Sequence, residues 1–254
     1  MDVAYSDVRQ NRIGMLIHDY VFMANVIQPK VCVMENVPEM AKSDVFLYAL
    51  ERLRRYGYLV SYKKLVATDY GVAQKRNRLF VIAVRPDVAD GAGIGSEAEL
   101  NEVFPRPTST TLTVSDALEG LEIDQHEREM LLSETRKSAS YELVRVLDKS
   151  PPLVTRMPNV RADWTFDFSL SRASWHHPCP TITASGAAGR GGVYHPEEDR
   201  IFTIKELKRL SGLPDDFRLT GLFPKQAERI GRMVPPLMTA EIAKSIYRNI
   251  LSAE

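Results

Sequence analysis

With 254 residues, 44% of them hydrophobic and 26% charged, the chain has the composition of an ordinary soluble globular protein. Only two cysteines, Cys32 and Cys179, are present, no apolar run reaches the roughly 18 residues that span a membrane, and the N-terminus has no signal-like stretch. This excludes a disulfide framework and a four-ligand zinc site, and points to a cytoplasmic protein with no metal.

The apolar positions Ile13, Leu16, Ile17, Tyr20, Val21, Ala24 and Ile27 predict a helix over 7–28, stopped by Pro29. Val31-Cys32-Val33-Met34 reads as a strand covered on both faces, as in a parallel sheet, and it runs into Glu35-Asn36-Val37-Pro38. Ser43 caps a second helix to about Tyr56, with Val45, Phe46, Ala49, Leu50 and Leu53 on one face and Gly57 at its stop. Strands follow over 58–67 and 79–84, ended by Pro86. Residues 1–85 therefore form an α/β layer with about three strands, fewer than open sheets usually have.

Residues 86–198 change character. Gly91, Gly93 and Gly95 mark a loop, and prolines and short apolar pieces predict a separate, irregular, partly β region. Beyond it, Thr203 and Glu206 have capping-box spacing and start a helix over 203–213 whose Leu207 and Leu210 face a core. A turn at 214–217, a short helix over 225–231 and a terminal helix over 235–251 complete the chain.

Charge is balanced at 33 Lys/Arg and 33 Asp/Glu but unevenly spread. Nine Lys/Arg stand against Glu51 and Asp69 in 51–85, whereas thirteen acids meet five Lys/Arg in 86–145. That separation gives one face that attracts phosphate, or simply two solvated surfaces.

Glu35 follows a buried strand, where a carboxylate points into the crevice that binds ligands in α/β proteins. Apolar surroundings there favour its protonated form; the alternative is a strand-terminal Glu bound to backbone. If Gln74-Lys75-Arg76-Asn77-Arg78 is extended, Gln74, Arg76 and Arg78 share one side and suit a phosphate or a base edge, or else act as a basic gatekeeper before a hydrophobic strand. Glycines 186, 189, 191 and 192, with Arg190 among them, allow close approach to a phosphate backbone. They are not a dinucleotide loop, because Val193-Tyr194-His195-Pro196 is no helix start. Neither cysteine reads as a nucleophile: Cys32 is strand packing, and nothing local lowers the pKa of Cys179 between Pro178 and Pro180.

The order of these segments is more specific than any one of them. Asp7-Val8-Arg9, Met34 to Pro38, Gln74 to Arg78, Arg200 to Phe217 (with Arg-Leu-Ser-Gly-Leu-Pro-Asp) and Gly231 to Pro235 together resemble the cytosine-5 DNA methyltransferase family across nearly the whole chain. The resemblance implies a partial Rossmann-like methyltransferase sheet over 1–85, a small target-recognition domain over 86–198 and a helical return over 199–254. It implies methyl transfer from S-adenosylmethionine to carbon 5 of a cytosine flipped from double-stranded DNA, through a Cys thiolate. Glu35 would hold the base, Arg78 contact it, Arg76 support the site or a phosphate, and Gln74 hold the loop. Asn36, Gly231, Arg232, Met233 and Val234 would line the donor site; Thr181, Gly186, Gly189, Arg190, Gly191, Gly192 and Arg200 would meet DNA.

Two departures from the family pattern matter. The glycine-rich donor loop and the Pro-Cys nucleophile loop lie upstream of Asp7-Val8-Arg9 in the family, so the donor site is expected to be incomplete here. Arg232 stands where the family usually has Asn. The expected protein is one part of a methyltransferase that needs a complementary N-terminal chain or segment. The alternatives are a non-catalytic DNA-binding or interaction remnant and a relative that methylates RNA.

Overall fold

The computed structural model describes residues 16–253 except 109, 157–169 and 185–191. The chain divides into two compact units that are discontinuous in sequence. The first takes the residues up to Leu65, Asn77–Arg106 and the segment from Glu241; the second takes Val66–Arg76 and Pro107–Ala240.

In the first unit, helix α1 spans 16–27, strand β1 Val31–Asn36, helix α2 Asp44–Arg55, β2 Leu59–Val66 and β3 Asn77–Val84. Their sheet has the order β1-β3-β2. β3 is its centre because it carries the most apolar run, and all residues from Leu79 to Val84 are buried. β1 pairs with β3 antiparallel, Val31 opposite Val84 and Glu35 opposite Phe80. The expected parallel, doubly covered strand is corrected on both counts: an apolar run reports burial and not direction, and Val33 of β1 is 41% exposed.

Ile17, Val21 and Ala24 of α1 pack with Phe46, Ala49, Leu50 and Leu53 of α2 onto Leu79, Val81 and Ala83. Ser43 caps α2 by accepting a hydrogen bond from the Phe46 N–H, worth about 1 kcal/mol. Gly57, at φ +91°, lets the chain turn back into β2. The first part of the helix predicted from residue 7 lies outside the described residues. Within α1, Leu16 and Ile27, which belong to the apolar repeat that predicts the helix, are exposed, as are Phe22, Met23 and Val26. Leu16, Met23 and Ile27 form one stripe and Phe22 and Val26 the next, so α1 is apolar on its outer side too. Helices α3 (Pro86–Gly91) and α4 (Glu97–Glu102) follow β3.

The second unit holds α5 (Val114–Leu118), α6 (Gln125–Lys137), α7 (Tyr141–Arg145), α8 (Ile204–Leu210) and α9 (Phe223–Arg232). Strands β4 (Thr155–Arg156), β5 (Ser171–Arg172) and β6 (Val193–Tyr194) form a small sheet, β4 antiparallel and β6 parallel to β5. The expected partly β character is there in two-residue strands. The helices within 86–198 were not expected; three are started by side-chain caps from Ser96, Thr113 and Asp124. The Thr203–Glu206 capping box at α8 is formed, with Leu207 and Leu210 in the core. The terminal helix α10 spans Pro236–Asn249.

Candidate functional site

In the first unit, Glu35 lies one residue before the end of β1 and Arg78 near the start of β3. The antiparallel register sets Glu35 opposite Phe80, so Arg78 is its diagonal neighbour on the same face. Arg78 Nε stands 2.7 Å from Glu35 Oε1, both side chains being partly buried, and Arg78 Nη1 donates to the Asn77 carbonyl at 2.7 Å. Asn36 Oδ1 accepts the Val37 N–H at 2.8 Å and turns the chain toward Pro38.

The chain passes from the second unit to the first between Arg76 and Asn77. Gln74 and Arg76 share a side as alternation predicts, but that side is the interior of the second unit, and both are buried. Gln74 donates from Nε2 to Ser211 Oγ at 2.9 Å and accepts the Ile182 N–H at 3.0 Å. Arg76 donates to the carbonyls of Ile182 and Gly231, both at 2.9 Å. Backbone bonds from Lys75 N to Cys179 O and from Cys179 N to Ala73 O join the two segments. The expectation of two guanidiniums and an amide on one ligand-facing surface is therefore corrected: Gln74 and Arg76 are a clamp on the 179–182 loop.

The remaining expected residues fall into several environments. Gly231 is where α9 crosses that loop: a Cβ there would lie 2.5 Å from the Thr183 carbonyl carbon, so only glycine fits. Arg232 pairs with Glu228 at 2.8 Å on the exposed side of α9. Met233 packs against the core as the C-cap of α9, and Val234 is half-buried. Thr181 donates its hydroxyl to the Lys75 carbonyl at 2.5 Å, and Gly192 lines a narrow cleft beside it. Gly186, Gly189, Arg190 and Gly191 lie outside the described residues. With Gly231 committed to packing, Arg232 to an ion pair and Asn36 to its own turn, these positions alone do not fit a nucleoside-sized donor.

Arg200 corrects another expectation. It is fully buried, bidentate to Glu206 and 2.6 Å from Glu198, so its guanidinium meets no DNA in this state. Sequence reading also missed Arg172, which is fully buried, pairs with Asp199 at 2.7 Å and donates to the carbonyls of Val144, Leu147, His195 and Glu198. His195 sits edge-on between Trp175 and Phe202, with ring centroids 5.2 and 5.6 Å away. Burial, then the Arg200 charge, lowers its pKa to about 4, so the ring is neutral at pH 7. Its Nδ1 accepts the N–H groups of Glu197 and Glu198. No local motif announces these residues; their partners come from distant segments.

Both cysteines are buried, and burial pushes both thiols up, in Cys32 against hydrogen bonds from Tyr58 and Tyr20. Neither has the electropositive, accessible setting of a nucleophile. Among the described residues no His/Cys/Asp/Glu group is arranged to hold a metal, and no helix is long and apolar enough to cross a membrane.

Comparison with known proteins agrees with the order of motifs. Type II methyltransferase M1.HphI of Haemophilus parahaemolyticus is 28% identical over 240 residues, covering 92% of this chain and 60% of the relative. Type II methyltransferase M.PspPI of a Psychrobacter species is 29% identical, covering 99% and 61%. The chain thus spans about three fifths of these curated relatives. A crystal structure of a prophage-encoded DNA modification methyltransferase from E. coli superposes with a TM-score of 0.61 at 22% identity, over 93% of this chain and 73% of that one. The S. pombe Dnmt2 methyltransferase superposes with a TM-score of 0.52 at 12% identity, over 87% and 67%. These two establish the methyltransferase fold. The sequence model of the C-5 cytosine-specific DNA methylases matches residues 5–248, and the chain belongs to that family.

Proposed function

We propose that the chain is the C-terminal part of a DNA (cytosine-5)-methyltransferase of the restriction-modification type, acting on cytosine flipped from double-stranded DNA. The observation that carries this is the Glu35–Arg78 pair at the ends of two adjacent strands. There a carboxylate can hold the polar edge of a base and a guanidinium can contact it, while Gln74 and Arg76 fix the loop that leads into Arg78. S-adenosylmethionine, when bound, supplies the methyl group; Asn36 is proposed as a donor contact, and Gly231, Arg232, Met233 and Val234 are each proposed as donor contacts on the family resemblance alone. The 86–198 region is proposed to recognise the target, with 1–85 and 199–254 serving the catalytic layer. Thr181 and the glycines at 186–192 are proposed to face DNA.

The reading includes a second piece. The reaction needs a thiolate that attacks carbon 6, and the buried thiols of Cys32 and Cys179 are poorly suited to form one. The outer apolar side of α1 and the edge position of β1 are also what a further layer would cover. We therefore propose a complementary N-terminal methyltransferase chain or segment that brings the nucleophile.

The test is tritiated methyl transfer to mixed-sequence duplex DNA, by this chain alone and mixed with a methyltransferase N-terminal half carrying the Pro-Cys loop. Activity only in the mixture supports the proposal. Activity of the chain alone that disappears in Cys179→Ala overturns it. No activity in either arm, with duplex binding retained, identifies a non-catalytic DNA-binding module instead.

A further inference from the structure

The second unit holds a cavity of about 370 Å³ where α5 and the chain after it face α8. Leu118, Leu121, Ile123 and the Trp175 ring give it an apolar wall. Trp175 is pinned there, its carbonyl accepting the Ser115 N–H at 3.1 Å. The exposed carboxylates of Asp116 and Glu119 stand at its mouth. Asp116 is fixed by Thr113, whose N–H and hydroxyl donate to Oδ2 at 2.8 and 2.7 Å. Among the described residues no lysine or arginine lines the cavity; Lys205 and Arg209 of α8 donate instead to the carbonyls of Glu122 and Glu119. A phosphate would meet like charge at this mouth, and a cation opposite charge.

The floor is made by His195 and Glu206, both buried. Glu206, which belongs to a family motif, is spent: Arg200 takes both of its oxygens and Thr203 shares one of them. His195 is not spent. Its Nδ1 accepts two backbone N–H groups, so the neutral ring carries its proton on Nε2. Nε2 makes no hydrogen bond among the described residues. Glu206 Oε1 lies 3.6 Å from it, beyond hydrogen-bond distance, and already accepts from Arg200 at 2.9 Å. A buried N–H in want of an acceptor, at the closed end of an apolar cavity with an acidic mouth, sets the polarity of a ligand along its length.

We propose that this cavity binds a small organic ammonium ion. Its amine lies at Asp116 and Glu119, its flat apolar body lies against Trp175, Leu118 and Leu121, and a terminal hydroxyl or carbonyl oxygen accepts from His195 Nε2. None of these contacts comes from a family motif, and the proposal stands whether or not the DNA reading does.

The experiment is isothermal titration calorimetry of the full chain with tyramine, whose hydroxyl and ammonium sit at opposite ends of a flat body. Saturable one-site binding is expected, with a Tm that rises as tyramine is added. Phenethylamine lacks the hydroxyl and para-ethylphenol lacks the ammonium, so each should bind several-fold more weakly. The anion para-hydroxyphenylacetate should give no measurable binding. Glu119→Gln should weaken tyramine several-fold and leave para-ethylphenol unchanged. His195→Phe should erase the advantage of tyramine over phenethylamine; if that variant does not fold, the two ligands compared on the unaltered protein still test the donor. No saturable heat with millimolar tyramine overturns the proposal. Equal affinity for tyramine and para-ethylphenol also overturns it, as apolar sorption only, and equal affinity for tyramine and phenethylamine removes His195 from the site and the proposal with it.

Discussion

Arg200 and Glu206 meet in a two-point ion pair, 2.7 and 2.9 Å long, in a part of the core where neither side chain reaches solvent. The same carboxylate accepts the Thr203 N–H at 2.7 Å and the Thr203 hydroxyl at 2.9 Å, so one side chain both neutralises a buried cation and closes the start of α8. Burial alone pushes the Glu206 carboxyl up, and the hydrogen bonds from Arg200 outweigh it, holding the group below the usual carboxylate range.

Replacing Glu206 by Gln leaves the buried Arg200 with Glu198 as its remaining carboxylate partner and is expected to cost about 3 kcal/mol. Urea unfolding at neutral pH measures it. The double variant Arg200→Met/Glu206→Leu removes both charges and should recover a large part of the loss. A double variant as unstable as the single one would show that the pair is held for its cap geometry and not for charge balance.

Acid should destabilise the second unit in two windows. The His195 pKa is lowered to about 4 from 6.5, so between those values the unfolded chain binds the extra proton. The His195 contribution is therefore complete above about pH 6.5 and is lost as pH falls toward 4, amounting to about 3 kcal/mol. The Glu206 contribution is present above the ordinary carboxylate range and is lost only as pH falls through its lower folded value. Unfolding free energies from pH 7 to 4 should slope downward in the wild type and flatten in His195→Gln; equal slopes would remove His195 as the group responsible.

Gly231→Ala is expected to destabilise by about 1–3 kcal/mol, because the new methyl meets the backbone of Thr183 and Ala184 and not a flexible side chain. The loop it displaces is the one clamped by Gln74 and Arg76, so duplex binding should weaken along with Tm. A fully stable Gly231→Ala protein would mean the crossing has slack.

In a complemented enzyme, Glu35→Ala should lower the methyl-transfer rate by about 10³-fold while leaving DNA affinity within a few-fold, since its proposed role is to hold the reacting base. Single-turnover rates and duplex affinity measured side by side check this. Near-normal turnover would remove Glu35 from the site.

Where side-chain chemistry acts over three or four residues, the sequence was readable. Ser43 before Phe46 and Thr203 before Glu206 placed the starts of α2 and α8. The apolar run at 79–84 marked the central strand. Strand direction was not readable, because Val31 to Met34 has the same apolarity in either orientation. α6 went unread because it buries only Leu131 and Thr135 and so has almost no apolar stripe. In the candidate site, alternation paired Gln74 with Arg76 correctly but could not say which side was interior. That depends on Ile182, Ser211 and Gly231, more than 100 residues away. Arg172 and His195 were invisible for the same reason.

The outer side of α1 has a practical consequence for anyone handling the protein. Leu16, Phe22, Met23, Val26 and Ile27 present an oily stripe to water, on a chain whose formal net charge is zero. Copies of the chain have little mutual repulsion to keep such stripes apart, so concentrated stocks near neutral pH should cloud and self-associate. Substituting Phe22 and Val26 with lysine would add both charge and wettability, giving a better-behaved reagent for crystallisation.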